Sequence, residues 1–211
     1  MVDPPLVSYA EALLRARRLA ESGGRRILGI AGVPGAGKSS AAGRLVEDLA
    51  GLAILVPMDG FHLANAELVR LGRRDRKGAP DTFDAAGYVA LLRRLKEPAS
   101  GVTVYGPSFH REIEEPIAGA IPVEADMPLV VTDGNYLLVP EEPWAQVSPL
   151  LDESWYVEAD ESLRLERLVA RHVAFGKSPD AARSWSLGSD QRNAELIAAT
   201  RSRADIVLRW D

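Results

Sequence analysis

Eight consecutive residues, Gly32-Val33-Pro34-Gly35-Ala36-Gly37-Lys38-Ser39, have the types and spacing of a phosphate-binding loop, G-x-x-x-x-G-K-[ST]. Backbone N–H groups must curl around a β-phosphate, and glycine permits this because it tolerates positive φ and close approach. Lys38 can then reach the β- and γ-oxygens of ATP, while the Ser39 hydroxyl is placed to ligate Mg²⁺. Ser40 continues into a helix whose N-terminus adds about half a positive charge aimed at the phosphates. The expected nucleotide contacts are therefore Gly32, Val33, Pro34, Gly35, Ala36, Gly37, Lys38, Ser39 and Ser40. A glycine-rich turn with a stray lysine is the alternative. The apolar run 27–31 before the loop and the small residues Ser40, Ala41, Ala42 and Gly43 after it argue against that, because the motif works between a strand and a helix.

Phosphoryl transfer needs a group that orients and deprotonates the attacking hydroxyl, and a second acid that holds Mg²⁺ directly or through water. Asp59 follows the apolar run 52–56, and Asp133 follows the run 129–132. In open parallel sheets ligands bind at the carboxyl ends of strands, so both acids belong beside the phosphate loop. Each precedes a glycine, and an Asp-Gly pair can also be a plain turn. Two such acids, each ending a buried strand, favour chemistry. Asp59 is assigned as base and Asp133, with Ser39, as the metal-side pair.

These residues must be held by a sheet. Five short runs (27–31, 52–56, 129–132, 155–157 and 206–208) are apolar throughout, as expected of parallel strands covered on both faces. Helical patterns lie between them at 39–50, 84–96, 160–175 and 190–200. Ser8-Tyr9-Ala10-Glu11 reads as a capping box opening a further helix to about residue 22, with Leu13, Ala16, Leu19 and Ala20 as its buried stripe. The expected fold is α/β, three layers around a five-stranded parallel core, with added strands or loops near 102–105 and 121–123. Segments 65–81, 106–127 and 176–189 read as loops or lids.

With 211 residues the chain suits one α/β domain. Its net charge of −5 argues against a sequence-independent nucleic-acid partner, which needs a basic surface. Cysteine is absent, which removes disulfides and thiol chemistry. No apolar run approaches the ~20 residues of a membrane span, so no membrane partner is expected and a cytoplasmic location follows by default. Self-association as a homodimer stays open.

At Met58-Asp59-Gly60-Phe61-His62 the chain resembles the group containing uridine kinase, bacterial pantothenate kinase and phosphoribulokinase, in which this acid is the catalytic base. Arg76-Lys77-Gly78-Ala79-Pro80-Asp81-Thr82-Phe83-Asp84 is similar to the pantothenate kinase segment Lys-Gly-x-Pro-x-Ser-aromatic-Asp. Tyr105 and His110 are similar to a substrate-contact stretch of uridine kinases. Val131-Thr132-Asp133-Gly134 stands where the group has apolar-Glu-Gly, and Ala204-Asp205-Ile206-Val207 resembles its closing element. Gly78 stands where uridine kinases carry an acid, and Phe109-His110-Arg111 where pantothenate kinases have aromatic-Asp. The nearest likeness is to short bacterial members described as fructose transport system kinases, which implies a sugar.

That resemblance also implies a helical lid, roughly 164–189, whose arginines neutralise the transferring phosphoryl. Arg164, Arg167 and Arg171 recur on one helix face; Arg171 and Arg167 are the candidates for catalysis alongside Lys38 and Asp59. The acceptor, a small hydroxyl compound, is expected among Asp59, His62, Tyr105, His110 and Arg111. The basic run Arg70 to Lys77 is either a solvated loop or an attractor for an anion. Competing readings are a pantothenate or nucleoside kinase and, in another class, a nucleotide-dependent switch.

Overall fold

The computed structural model describes residues 3–210. Strands β1 (Leu6–Val7), β2 (Arg26–Ala31), β3 (Ala53–Leu55), β6 (Leu129–Gly134), β7 (Glu153–Glu158) and β8 (Ile206–Arg209) form one sheet in the order β1-β8-β7-β2-β6-β3. Every pairing in it is parallel. The five expected strands are all present. The sixth, β1, pairs Leu6 with Val207 and Val7 with Leu208 at the sheet edge. Two residues carry no readable periodicity, which is why sequence pattern missed it.

Alternate residues of the buried strands feed two cores. Ile27, Val130 and Tyr156 pack on one face with Tyr88 and Leu92 of α4 (Ala85–Lys96). Leu28, Ile30, Val131 and Trp155 pack on the other with α1 (Tyr9–Glu21) and α2 (Lys38–Asp48). The Ser8 capping box forms: its hydroxyl accepts from the Glu11 N–H at 3.4 Å, and the Glu11 carboxylate accepts from the Ser8 N–H at 2.8 Å. The buried stripe of α1 is Ala12, Ala16 and Ala20, and Leu13 and Leu19 are half-buried beside it.

The segments read as loops hold more structure than expected. Residues 65–81 contain α3 (Asn65–Arg70) and short 3-10 turns. Residues 106–127 lie largely in an antiparallel hairpin of β4 (Val104–His110) and β5 (Glu115–Val123), separate from the main sheet. A two-stranded ribbon has two free edges, so Pro107, Pro116 and Pro122 cost few ladder bonds there. Beyond α5 (Glu161–Ala174), residues 176–189 form α6 (Pro179–Trp185) and most of a π-helical turn, Ser186–Asp190, that runs into α7 (Gln191–Ala198). Among the described residues no helix is long and apolar enough to cross a membrane.

Candidate active site

From β2 the chain crosses to β3, beyond β6; from β6 it crosses back to β7. Connections therefore leave β2 and β6 in opposite directions, and a crevice opens between their carboxyl ends. The phosphate loop leaves β2 there. Gly37 caps α2 with φ 92° and no side-chain hydrogen bond, so the first N–H groups of the helix are left for an anion. Arg164 braces the loop from behind: fully buried, it donates to the Pro34 carbonyl at 3.1 Å, to Gln191 Oε1 at 2.7 Å and to both oxygens of Glu161. A β-carbon on Gly35 would lie 2.7 Å from the Arg164 carbonyl oxygen, which explains the glycine.

Asp133 ends β6 opposite Ile30 of β2, one strand from the loop. Ser39 Oγ donates to its Oδ2 at 2.6 Å. Its Oδ1 is buried without a hydrogen-bond partner among the described residues. Burial, then the neighbouring Asp59, raises the Asp133 carboxyl above its usual value against the pull of Ser39 and Lys38. Lys38 is itself buried and donates from Nζ to the Val33 carbonyl at 3.1 Å. Desolvation pushes its ammonium down to about 8, although Asp133 and Asp59 favour the charge.

Asp59 sits on a 3-10 turn, Met58–Phe61, that follows β3. Its Oδ2 accepts from Arg111 Nη2 at 3.1 Å. Burial raises the carboxyl, but His62, Arg111, Lys38 and Arg171 outweigh it and hold the group below its usual value. The glycines that follow the two acids do not serve turn conformation, since neither has positive φ. A β-carbon on Gly134 would lie 2.6 Å from that of Met58, and one on Gly60 would strike the Pro107 carbonyl oxygen of β4. Both glycines let backbones close together, which brings Asp59 next to Asp133 and the hairpin next to Asp59.

The hairpin and the α3 loop form the far wall. His62 Nδ1 lies 2.8 Å from the Asp59 carbonyl oxygen, an acceptor only, so this nitrogen carries the proton. The ring lies against Phe83 and Phe109, with centroids 4.1 and 4.5 Å away. Desolvation holds the imidazole below its usual value although Asp59 favours its charge. Lys77 Nζ donates to Asn65 Oδ1 at 2.9 Å and to the Glu114 carbonyl, joining the loop to the hairpin turn. Gly78 is tied down by Tyr136, which donates to its carbonyl at 2.5 Å, and by Asn193 of α7 at 3.3 Å. The enclosed cleft, its open mouth included, has a volume of about 970 Å³.

Lys38, Ser39, Asp59, His62, Arg111, Asp133 and Arg171 all line this cleft. Tyr105 and His110 are not among the lining residues; Tyr105 is 56% exposed, and His110 Nε2 lies 3.0 Å from Ser108 Oγ. Tyr105 faces out by alternation with its buried neighbours, and a register shift between Gly106 and Ser108 puts His110 on the outer side as well. Before the bulge the buried residues are Val104 and Gly106, and beyond it the residues turned to the cleft are Phe109 and Arg111. The three lid arginines also part company. Arg171 faces the cleft, Arg164 braces the loop, and Arg167 Nη1 lies 3.7 Å from where a Gly37 β-carbon would stand, on the side of Trp210. Sequence reasoning did not single out Phe109 or Asn193, whose roles depend on the bulge and on the docking of α7.

A phosphate loop between a parallel strand and a helix, with an acid on the adjoining strand end, defines this as a P-loop kinase fold. The chain belongs to the Phosphoribulokinase / Uridine kinase family, whose model matches residues 27–210. It is 32% identical over 220 residues to the "Putative uridine kinase C227.14" of Schizosaccharomyces pombe, covering 99% of this chain and 93% of that one. It is 37% identical over 152 residues to the "ATP-dependent kinase-like protein notR'" of Aspergillus versicolor, covering 68% of this chain and 88% of that one. Among solved structures, the "putative fructose transport system kinase" of Silicibacter sp. TM1040 superposes with a TM-score of 0.84 at 35% identity, covering 97% of this chain and all of that one. Such relatives make the chain a small-molecule kinase.

Proposed function

We propose that this kinase transfers the γ-phosphoryl group of Mg·ATP to an alcohol group of a small sugar or sugar-like metabolite. The observation that carries it is the place of Asp59. Its carboxylate lines the cleft shared with Lys38, Ser39 and Asp133, is held ionised by surrounding cations, and stands on a different strand end from the phosphate loop. An acid there can receive a proton from an acceptor hydroxyl rather than serve the nucleotide.

In this reading the loop amides and Lys38 hold the β- and γ-phosphates. Ser39 Oγ and Asp133 fit a magnesium ion: both are hard oxygen donors, and the unpartnered Oδ1 of Asp133 is a ready acceptor for the ion or its water. Bound there, magnesium would neutralise charge on the phosphate oxygens. Asp59 orients the acceptor hydroxyl and takes its proton as the oxygen–phosphorus bond forms and the bond to the β–γ bridging oxygen breaks, releasing ADP. A carboxylate of low basicity suffices, because the transition state is loose and positioning dominates. Arg171 supplies positive charge from the lid side. All 211 residues then act as one catalytic unit, with residues of the 164–189 segment excluding water.

The test is ADP release with Mg·ATP across fructose, other sugars, pantothenate, uridine and glycerate. One acceptor should raise turnover well above background. ATP hydrolysis that no alcohol stimulates would replace this reading with a nucleotide-dependent switch.

A further inference from the structure

The basic run between Arg70 and Lys77 is sorted by the fold. Arg70 is paired with Glu67, and Arg73 and Arg76 with Asp81, so three of its charges are met by carboxylates of the same loop. Arg74 and Lys77 have no carboxylate within 3.5 Å among the described residues, and these are the two that line the cleft. Lys77 is 8% exposed; its hydrogen bonds go to an amide and a carbonyl oxygen, and its nearest carboxylate oxygen, on Glu114, is 3.9 Å away. Burying a charge against neutral partners is costly unless a counter-charge arrives.

Arg111 adds to this surplus. Lys77 Nζ and Arg111 Cζ lie 5.1 and 5.8 Å from the centroid of one ring, Phe109, and His62 packs against the same ring. Six lysine and arginine side chains and four carboxylates line the cleft, in a chain whose net charge is −5. Lys38 rises from the phosphate loop, and Arg171 is close enough to lower its affinity for a proton. Arg74, Lys77 and Arg111 come instead from the α3 loop and the hairpin, the wall that carries His62 and faces Asp59.

We infer that the acceptor is an anion: a small alcohol bearing a phosphate or carboxylate, whose charged end is held by Arg74, Lys77 and Arg111. This rests on the kinase reading above and narrows it to phosphorylated sugars or sugar acids. The hairpin turn presents Arg111 to Asp59, at 3.1 Å. An incoming anion competes for that guanidinium, so the hydroxyl end meets Asp59 as the charged end draws Arg111 away. A neutral nucleoside or sugar would leave the buried Lys77 with no counter-charge nearer than Glu114, 3.9 Å away.

The experiment uses matched alcohols of one size: glycerol, glycerate and glycerol 3-phosphate, then glucose, gluconate and glucose 6-phosphate. ADP release reads transfer, and calorimetry with the ADP-bound enzyme reads binding. A charged member should exceed its neutral counterpart in kcat/KM by about tenfold or more, the scale of one charge-assisted hydrogen bond. Whether the carboxylate or the phosphate arm responds identifies the charge. Arg74→Ala should raise KM for that compound by about tenfold, with Arg74→Lys restoring most of it. Neutral and charged members turned over alike, with KM indifferent to Arg74→Ala, would overturn the inference and leave the kinase reading standing. Absence of calorimetric binding by every anion would overturn it too. Anions that bind through Arg74 while no alcohol is phosphorylated would uphold the site and remove the kinase reading instead.

Discussion

On the donor side of the cleft the backbone does the positioning. The phosphate loop is one contiguous segment, capped by a left-handed Gly37 and braced from behind by buried Arg164, so its geometry is set before any ligand arrives. On the acceptor side nothing is contiguous. Asp59, His62, Lys77, Phe109 and Arg111 come from a 3-10 turn, a loop and a hairpin, and the turn and loop are tied to the hairpin by side chains that reach across 37 or more residues of sequence. Binding triphosphate is a common task that a fixed loop can perform. Choosing one alcohol is particular to each enzyme, and a wall assembled from separate segments can change one residue without disturbing the loop.

The largest effect that tests this division falls on Asp59. Asp59→Asn should lower transfer by ~10²-fold or more while the nucleotide still binds, the scale of losing a general base. A variant that also lost nucleotide affinity would mean that the two sides are one site. Gly60→Ala probes the same border through packing. Its β-carbon would meet the Pro107 carbonyl oxygen, backbone that cannot swing aside. Overpacking of this kind costs about 1–3 kcal/mol, to be read by denaturant unfolding, and acceptor KM should rise with nucleotide affinity kept. Stability equal to the parent would show that the hairpin yields freely.

How much of this was legible in the sequence follows the same line. The loop could be read because its phosphate-binding groups lie in one contiguous segment, and Asp59 and Asp133 because strand ends in a parallel sheet converge. Tyr105 faces out because it alternates with buried Val104 and Gly106, and His110 joins it because a bulge after Gly106 reversed the parity of β4; a bulge leaves little trace beyond a proline such as Pro107. The lid was expected to be helical, but the start of α6 within it was hidden. Ser178-Pro179 reads as a turn, yet Ser178 Oγ accepts from the Ala181 N–H at 3.3 Å and Pro179 opens α6, a helix start written with the same residues. The basic run could be seen but not sorted, because whether Arg73 or Arg74 meets Asp81 depends on 3-10 turns that composition does not predict.

A smaller effect is expected from protons on the donor side. Burial lowers Lys38 to about 8, and phosphate would favour its charged form, so nucleotide binding should take up a proton above that pH. The nucleotide Kd should be flat below neutrality and rise by about tenfold between pH 7 and 9. A flat profile to pH 9 would mean that the loop amides carry the affinity and Lys38 little of it.

The smallest effect lies on the acceptor side and has a sign of its own. Burial raises the Asp59 carboxyl, and His62, Arg111, Lys38 and Arg171 together outweigh it. Arg111→Gln removes one of the outweighing charges, so the carboxyl should lose its proton at higher pH. The acid limb of the kcat/KM profile, which reports groups in the free enzyme, should therefore move up in pH, while the alkaline limb stays. Lys38→Arg, which keeps a cation on the donor side, should leave that acid limb in place. A limb that moves equally in both variants would mean that the shift does not come from the lost charge of Arg111; a limb that moves only in Arg111→Gln makes the hairpin arginine its particular partner.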